Sequence, residues 1–246
     1  MTHGRLLTFA AVTGAAVLVW SASGELAWPA RAWTAALLAL LPPLMVAQAA
    51  MLPRLGDVPR ASIYLSSVVS LWLLAAVTVA AVLAGGPTLD RIGLRPAPLP
   101  ATLAWSGAIT VAGLLLMALA NRLGLRESPF LWRLLPRTST EKLQFVGVSV
   151  TAGVCEELVF RGFLIAALQT ATGSLALAVT LSSGVFGVLH AYQRPAGALR
   201  AAALGALLAL PFLLTGSLLP SMIAHAGIDI LAGLWLRDVI ASGHED

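Results

Sequence analysis

Ionisable side chains occur in the second half of the chain inside segments that are otherwise apolar. Carboxylates and imidazoles can take a proton from water and pass it to a leaving group, which is the chemistry of hydrolysis. One Arg or Asp at the centre of a membrane helix costs about 2.5–3.5 kcal/mol, so intramembrane charges predict a function. The set consists of Glu156, Glu157, Arg161, His190, His225 and Asp229.

The spacing of these residues predicts three helices that meet at one buried polar site. Glu157 and Arg161 are four residues apart and should share a helix face as an ion pair, and His225 and Asp229 have the same spacing. Phe186 precedes His190 by four, which places an aromatic ring beside the imidazole. Small residues that permit close helix approach flank these positions; they are Gly153, Gly162, Gly184, Gly187, Ala224, Ala226 and Gly227.

Other readings of the same residues stay open. A single His is commonly a hydrogen-bonding strut between helices, and a Glu–Arg pair can be purely structural. Chains of Glu and His also relay protons in transporters, although transporters usually show paired halves. A non-proteolytic scaffold, an immunity factor and a proton-coupled transporter are therefore the alternatives to an enzyme.

The elements that must position these residues are membrane helices. The chain is 59% hydrophobic and only 11% charged, whereas soluble domains carry about 25% charged residues. Runs of about 20 apolar residues recur, and each is long enough to cross a bilayer. The predicted fold class is all-α, a polytopic membrane protein of about eight transmembrane helices with the polar site in the C-terminal four. The predicted spans are 6–24, 33–52, 62–84, 100–121, 143–168, 174–191, 197–214 and 217–236.

The basic residues predict the orientation of these spans. In the eight-span arrangement, eleven of the 15 Lys and Arg residues fall on one side and only Arg31, Arg91 and Arg95 on the other. The positive-inside bias then places both termini in the cytoplasm. The Ala/Arg/Leu-rich composition indicates a bacterium, so the protein is expected to be multi-pass in a bacterial cytoplasmic membrane. The sequence pI near 10.2 is interpreted as orientation, and no nucleic-acid partner is expected.

Local signals refine the organisation. Pro42 and Pro43 predict a kink in the second span. The first span has the look of a signal peptide, but we expect it to be retained as a helix. The basic connection 122–142 is expected to be either a short interfacial helix or a loop. The predicted domains are 1–142 (N-terminal helices and this amphipathic connection), 143–236 (catalytic core) and 237–246 (cytoplasmic tail).

Three short motifs occur in order within the predicted spans. They are E-E-x-x-x-R from Glu156, F-x-x-x-H from Phe186 and H-x-x-x-D from His225. Together they resemble the CPBP (ABI) family of intramembrane glutamic proteases, which includes type II CAAX prenyl endopeptidases and bacterial bacteriocin-processing or self-immunity proteins. The resemblance covers roughly residues 140–236, and the first four spans match only in being hydrophobic.

The resemblance implies an endopeptidase that hydrolyses a peptide bond of a membrane-associated protein or peptide. It implies that Glu156 and His190 activate a water, that His225 and Asp229 stabilise the oxyanion, and that Glu157, Arg161 and Phe186 organise the site. The family's last motif often ends in Asn. An ionised Asp accepts hydrogen bonds and donates none, so Asp229 is expected to orient His225 and favour its charged form. Water must reach Glu156, which predicts a cavity open to the cytoplasmic side.

Competing chemistries need different residues. No cofactor is expected; if zinc were bound, its ligands would be Glu156, His190 and His225, although no H-E-x-x-H motif is present. A rhomboid-like serine protease would use Ser149, in Gly147-Val148-Ser149, as its nucleophile, but this reading leaves the adjacent Glu156 and Glu157 unexplained. Cys155 is expected to be a small buried hydrophobe.

Overall fold

The structure, a computed structural model, describes residues 13–14, 17–51, 58–125 and 129–236. No strand occurs in these residues, and the predicted all-α class is confirmed. Residues 17–22 are helical, and the helices after them are labelled α1 (Trp28–Met51), α2 (Arg60–Leu83), α3 (Leu99–Arg122), α4 (Pro129–Leu134), α5 (Ser139–Thr172), α6 (Leu175–Leu189), α7 (Arg194–Thr215) and α8 (Leu219–Leu231, continued by Ala232–Leu236).

Five helical segments of the described residues are long and apolar enough to cross a membrane, which supports an integral membrane protein. They are α1, α2, α3, α5 and 191–215. The predicted count of eight is not confirmed. At 15 residues α6 is about 22 Å long, less than the roughly 30 Å of a hydrocarbon core, and α8 is also short. The predicted span 6–24 is described only in part, since residues 6–12 and 15–16 lie outside the described residues.

Hydrogen bonds between connections show which helix ends lie together. At one end of the bundle, Arg60 Nε donates to the Arg133 carbonyl at 2.7 Å, and Arg200 donates to the Leu125 carbonyl at 2.6 Å. At the other end, Ser217 Oγ donates to the Arg95 carbonyl at 2.7 Å. Residues 60, 125, 133 and 200, which lie in or beside connections predicted to face the cytoplasm, therefore share one end of the bundle, referred to below as the basic end.

The prolines of α1 change its helical hydrogen bonding. Proline has no N–H to donate, so carbonyls one turn earlier lose their usual partner. The residues just before Pro42 form a π-helical segment, Ala36–Leu40, in which the N–H of Leu41 reaches back five residues to the Ala36 carbonyl. The disturbance predicted here thus takes the form of a widened turn.

Helix α5 begins four residues before the predicted boundary at 143, because Thr138 and Glu141 form a capping box. The Glu141 N–H donates to Thr138 Oγ1 at 3.2 Å, and the Thr138 N–H donates to Glu141 Oε2 at 3.1 Å. In the middle of the helix, Glu157–Leu164 is π-helical and all eight of its residues are buried. Such bulges are rare and frequently mark functional sites.

The connection between α3 and α5, for which a short helix or a loop was predicted, contains a short helix, α4. Its residues Leu131 and Trp132 line a cavity inside the bundle. The Tyr64 hydroxyl of α2 donates to the Leu134 carbonyl, which ties the end of α4 to α2. The apolar side chains Leu131 and Trp132 of α4 therefore pack against the protein itself, whereas Leu123, earlier in the connection, is 70% exposed.

Candidate active site

The buried carboxylate of Glu157 joins α5 to α8. Its Oε1 lies 2.7 Å from His225 Nδ1 and 2.9 Å from a terminal nitrogen of Arg161. Glu157 and Arg161 are 0% and 1% exposed. Removing either partner of so deeply buried an ion pair would leave the other charge buried without a counter-charge, which is strongly destabilising. The predicted Glu157–Arg161 pair is present.

Arg161 extends the connection to α6 and α7. Its Nε donates to the Gly205 carbonyl at 3.3 Å, and its guanidinium lies 4.3 Å from the centre of the Phe186 ring. A Cβ on Gly205 would approach this guanidinium to 3.2 Å. The lack of a side chain at 205 therefore makes room for the arginine, and the aromatic face stabilises its charge.

Close helix packing and side-chain hydrogen bonds hold the π-helical segment. A Cβ on Gly153 would lie 2.7 Å from the Met222 carbonyl, so α5 and α8 are in backbone contact there, as predicted. Ser182 Oγ of α6 donates to the Phe160 carbonyl at 2.8 Å, which satisfies a carbonyl within the widened turn. Gly184, in contrast, faces open space and takes no part in close packing.

The second nitrogen of His225 faces two further carboxylates. Nε2 lies 3.7 Å from Glu156 Oε2 and 3.7 Å from Asp229 Oδ2. The short hydrogen bond that orients the ring is therefore the one that Nδ1–H donates to Glu157, whereas the sequence suggested that Asp229 would orient it. Both Glu156 and Asp229 are more accessible than Glu157, with side chains 16% and 39% exposed.

His190 lies at the C-terminal end of α6, where its ring is held by the backbone. Nδ1 is 2.8 Å from the Phe186 carbonyl, and a carbonyl only accepts, so Nδ1 carries the proton. In the neutral ring, Nε2 is then left as an acceptor. The Phe186 ring packs 4.6 Å from the imidazole, which fixes its plane.

A cavity of about 310 Å³ brings together the four residues that were predicted to be catalytic, and Phe186 lines it as well. Glu156, His190, His225 and Asp229 all line it. Glu157 and Arg161 do not line the cavity; they are connected to it through His225, which Glu157 contacts. At the basic end the lining includes Tyr64, Leu131, Trp132, Tyr192 and Arg200.

Tyr192 is a lining residue that the motifs did not reveal. Its ring is 5.8 Å from the His190 imidazole and 6.2 Å from Phe130. Gln193 donates to its hydroxyl at 3.0 Å. Its place two residues after His190 was the available signal, but a 3₁₀ turn over Ala191–Gln193, which brings the ring back, is not readable from spacing.

The competing chemistries find less support among the described residues. No group of three or more His, Cys, Asp or Glu side chains is arranged there to hold a metal ion. Ser149 lines the cavity, but its hydroxyl donates to the Phe145 carbonyl at 2.9 Å. Cys155 is buried.

The model of one protein family, described as type II CAAX prenyl endopeptidase Rce1-like, matches residues 138–231. This segment is similar to that family and is referred to below as the Rce1-like segment. The match confirms the resemblance seen in the motifs. The Rce1-like segment begins at the N-cap of α5 and contains all six ionisable residues of the site, whereas α1 to α4 lie outside it. Neither the curated proteins nor the solved structures gave a match.

Proposed function

We propose that the protein is an intramembrane endopeptidase of the glutamic type, acting on a membrane-associated protein or peptide. One observation carries the proposal: the Glu156 carboxylate lines the same cavity as His190, His225 and Asp229, within the Rce1-like segment. Amide hydrolysis needs a base for water, a proton for the leaving amine and donors for the oxyanion, and this group of side chains can supply all three.

Glu156 and His190 activate the water in this mechanism. A water held between the Glu156 carboxylate and His190 Nε2 gives a proton to Glu156 while its oxygen bonds to the substrate carbonyl carbon. The carbonyl π electrons move to the oxygen and form the oxyanion. Glu156 then passes the proton to the amide nitrogen, the C–N bond breaks, and an acid and an amine leave.

His225 stabilises the oxyanion in this mechanism. Because Nδ1–H is donated to Glu157, His225 needs a second proton on Nε2 in order to donate to the substrate. Glu156 and Asp229, each 3.7 Å from Nε2, lie on the side from which that N–H would point. Asp229 as a carboxylate accepts only, so it positions the Nε2–H, while Glu157, Arg161 and Phe186 hold the ring in place.

The proposal includes the setting of the reaction. The cavity extends to the basic end of the bundle, so in the predicted orientation water and substrate reach Glu156 from the cytoplasm. The protein is then multi-pass in a bacterial cytoplasmic membrane with both termini cytoplasmic. Its partners are the lipid bilayer and the substrate, and neither a metal nor nucleic acid is required.

The experiment compares the peptide termini in membranes that contain either the wild type or Glu156→Gln at equal expression. Glu141→Gln is the matched control, because it makes the same change on the same helix, outside the cavity, and Gln can also close a capping box. We expect new termini with the wild type and the control and none with Glu156→Gln. A phenotype that requires Glu156 with no change in any terminus would favour the transporter or scaffold alternative.

A further inference from the structure

One face of α2 forms a wall of the cavity, although α2 lies outside the Rce1-like segment. Ile63, Ser67 and Leu71 line the cavity and are spaced four residues apart, so they fall on one side of the helix. Leu65 and Leu73 on other sides are 66% and 62% exposed. The wall thus consists of two large apolar residues with a small residue between them, and it is referred to below as the α2 wall.

Two contacts show at which level the α2 wall lies relative to Glu156. Arg60 pairs with Glu141 at 3.4 Å, and the ring of Tyr64 packs 6.1 Å from that of Phe145. Both pairs have the same offset in residue number, so α2 and α5 run side by side in the same direction. By this offset Ser67 lies level with residue 148 and Leu71 level with residue 152.

The distance of each wall residue from Glu156 along the helix axis indicates which residue of a bound peptide it would contact. At a rise of about 1.5 Å per residue, Leu71 lies about 6 Å from the level of Glu156, and Ser67 about 12 Å, both towards the basic end. An extended peptide advances about 3.3 Å per residue. Leu71 therefore meets the substrate about two residues from the scissile bond, and Ser67 meets it about four residues away.

The chemistry of the facing wall indicates which side chains fit. Opposite and beside α2, the cavity is lined by Val148, Ala152, Leu204 and Leu208, with no charged group among them. Apart from the hydroxyls of Ser67 and Ser149, of which the latter donates to the Phe145 carbonyl, this stretch offers a peptide side chain apolar contacts, so large apolar side chains are favoured. The small Ser67 leaves space between Ile63 and Leu71 for such a side chain.

We infer that the α2 wall selects the substrate, accepting large apolar side chains about two and four residues from the scissile bond on the basic-end side. The inference rests on the proposed function, since it assigns specificity to the same cavity. It assigns substrate selection to α2, a helix of the first half of the chain, whereas the three motifs all lie in the second half.

The test uses one substitution that enlarges a side chain in the wall and one that shortens a side chain there, each with a control substitution at a neighbouring residue. Ser67→Leu fills the wall and Ser66→Leu makes the same change at an exposed residue. Leu71→Ala opens the wall and Leu73→Ala makes the same change at an exposed position. The termini that depend on Glu156 are measured for each variant in membranes, normalised to protein amount, and sorted by the residues around the cut.

Ser67→Leu is expected to reduce cleavage at sites with Leu, Ile or Phe four residues from the cut, relative to Gly or Ala. Leu71→Ala is expected to increase cleavage at sites with Phe or Trp two residues away. One methylene in an apolar pocket changes discrimination about 10- to 200-fold, so shifts of at least about tenfold are expected. The two exposed controls should keep the wild-type profile. A general structural defect would lower all sites together and would not move the preferences in opposite directions.

The outcomes separate this inference from the proposed function. If Glu156-dependent termini exist but both lining variants keep the wild-type preferences, the inference alone is overturned. If no terminus depends on Glu156, the proposed function fails and the inference fails with it. Where Ser67→Leu does not accumulate in the membrane, Ser67→Thr adds a single methyl group at the same place and should shift the profile in the same direction by a smaller factor.

Discussion

His225 Nδ1 lies 2.7 Å from Glu157 Oε1, so the imidazole on α8 donates to a carboxylate in the π-helical segment of α5. This hydrogen bond crosses between two helices and fixes which ring nitrogen faces the cavity. Arg161 holds the same carboxylate oxygen at 2.9 Å. The orientation of the ring therefore depends on an ion pair that does not itself line the cavity.

The Glu157–Arg161 pair predicts a strong and non-additive effect on stability. Glu157→Ala or Arg161→Ala alone should lower the free energy of unfolding by about 3–5 kcal/mol, because each leaves one buried charge without its partner. The double variant should lose clearly less than the sum of the two. Thermal or denaturant unfolding of the purified protein in detergent measures this, and strict additivity would show that the pair is not energetically coupled.

Asp229 predicts a difference between two replacements of similar size. Asp229→Asn should retain activity within about tenfold, because its amide can itself donate to the oxyanion. Asp229→Leu can neither position the His225 N–H nor donate, and the loss of oxyanion stabilisation should cost about 10²–10³ in kcat. The rates are compared on one cleaved peptide. Equal loss in both variants would mean that the carboxylate charge itself is required.

His190 predicts a loss of rate without a loss of fold. In His190→Asn the side-chain amide can still donate to the Phe186 carbonyl, but no acceptor for the water remains at the position of Nε2. Cleavage should fall about 10²–10⁴-fold, the usual contribution of general-base catalysis, because the water is no longer held against the base Glu156. The unfolding midpoint should stay near that of the wild type. A large drop in this midpoint with unchanged cleavage per folded molecule would identify His190 as a structural strut.

The proposed mechanism predicts that removing metal ions has no effect on cleavage. The described residues contain no group of three or more metal-binding side chains arranged for an ion, and the Glu156–His190 mechanism uses none. Cleavage after dialysis against a chelator should equal that of the untreated protein, and added zinc should not raise it. Loss on chelation with recovery on zinc would instead support the Glu156, His190 and His225 ligand set.

Short-range spacing predicted much of the molecule because helix geometry is local. The Glu157–Arg161 pair and the contact of Phe186 with His190 both follow from four-residue spacing on a helix face. The start of α5 at Ser139 was also readable, since Thr138 and Glu141 form a T-x-x-E capping signal that the hydrophobic boundary at 143 overlooked.

Long-range packing decided what the sequence could not predict. His225 had three carboxylates within reach, and the hydrogen bond to Glu157 instead of Asp229 depends on how α8 approaches α5 at Gly153. The π-helical segment depends in part on Ser182, a residue of another helix, for its carbonyl partner. The α2 wall requires the side-by-side alignment of α2 and α5, which no periodicity in either helix contains.

The central claim is that Glu156 drives the addition of water to a peptide bond. The substrate is a peptide whose cleavage depends on Glu156. It is incubated in ¹⁸O-labelled water with purified wild type, Glu156→Gln or Glu141→Gln in lipid vesicles. The masses of the products are then measured by mass spectrometry. The account predicts that the wild type and Glu141→Gln release a fragment with one ¹⁸O in its new carboxyl group, and that Glu156→Gln releases none. Cleavage by Glu156→Gln at the wild-type rate, or no cleavage by the wild type, would contradict it.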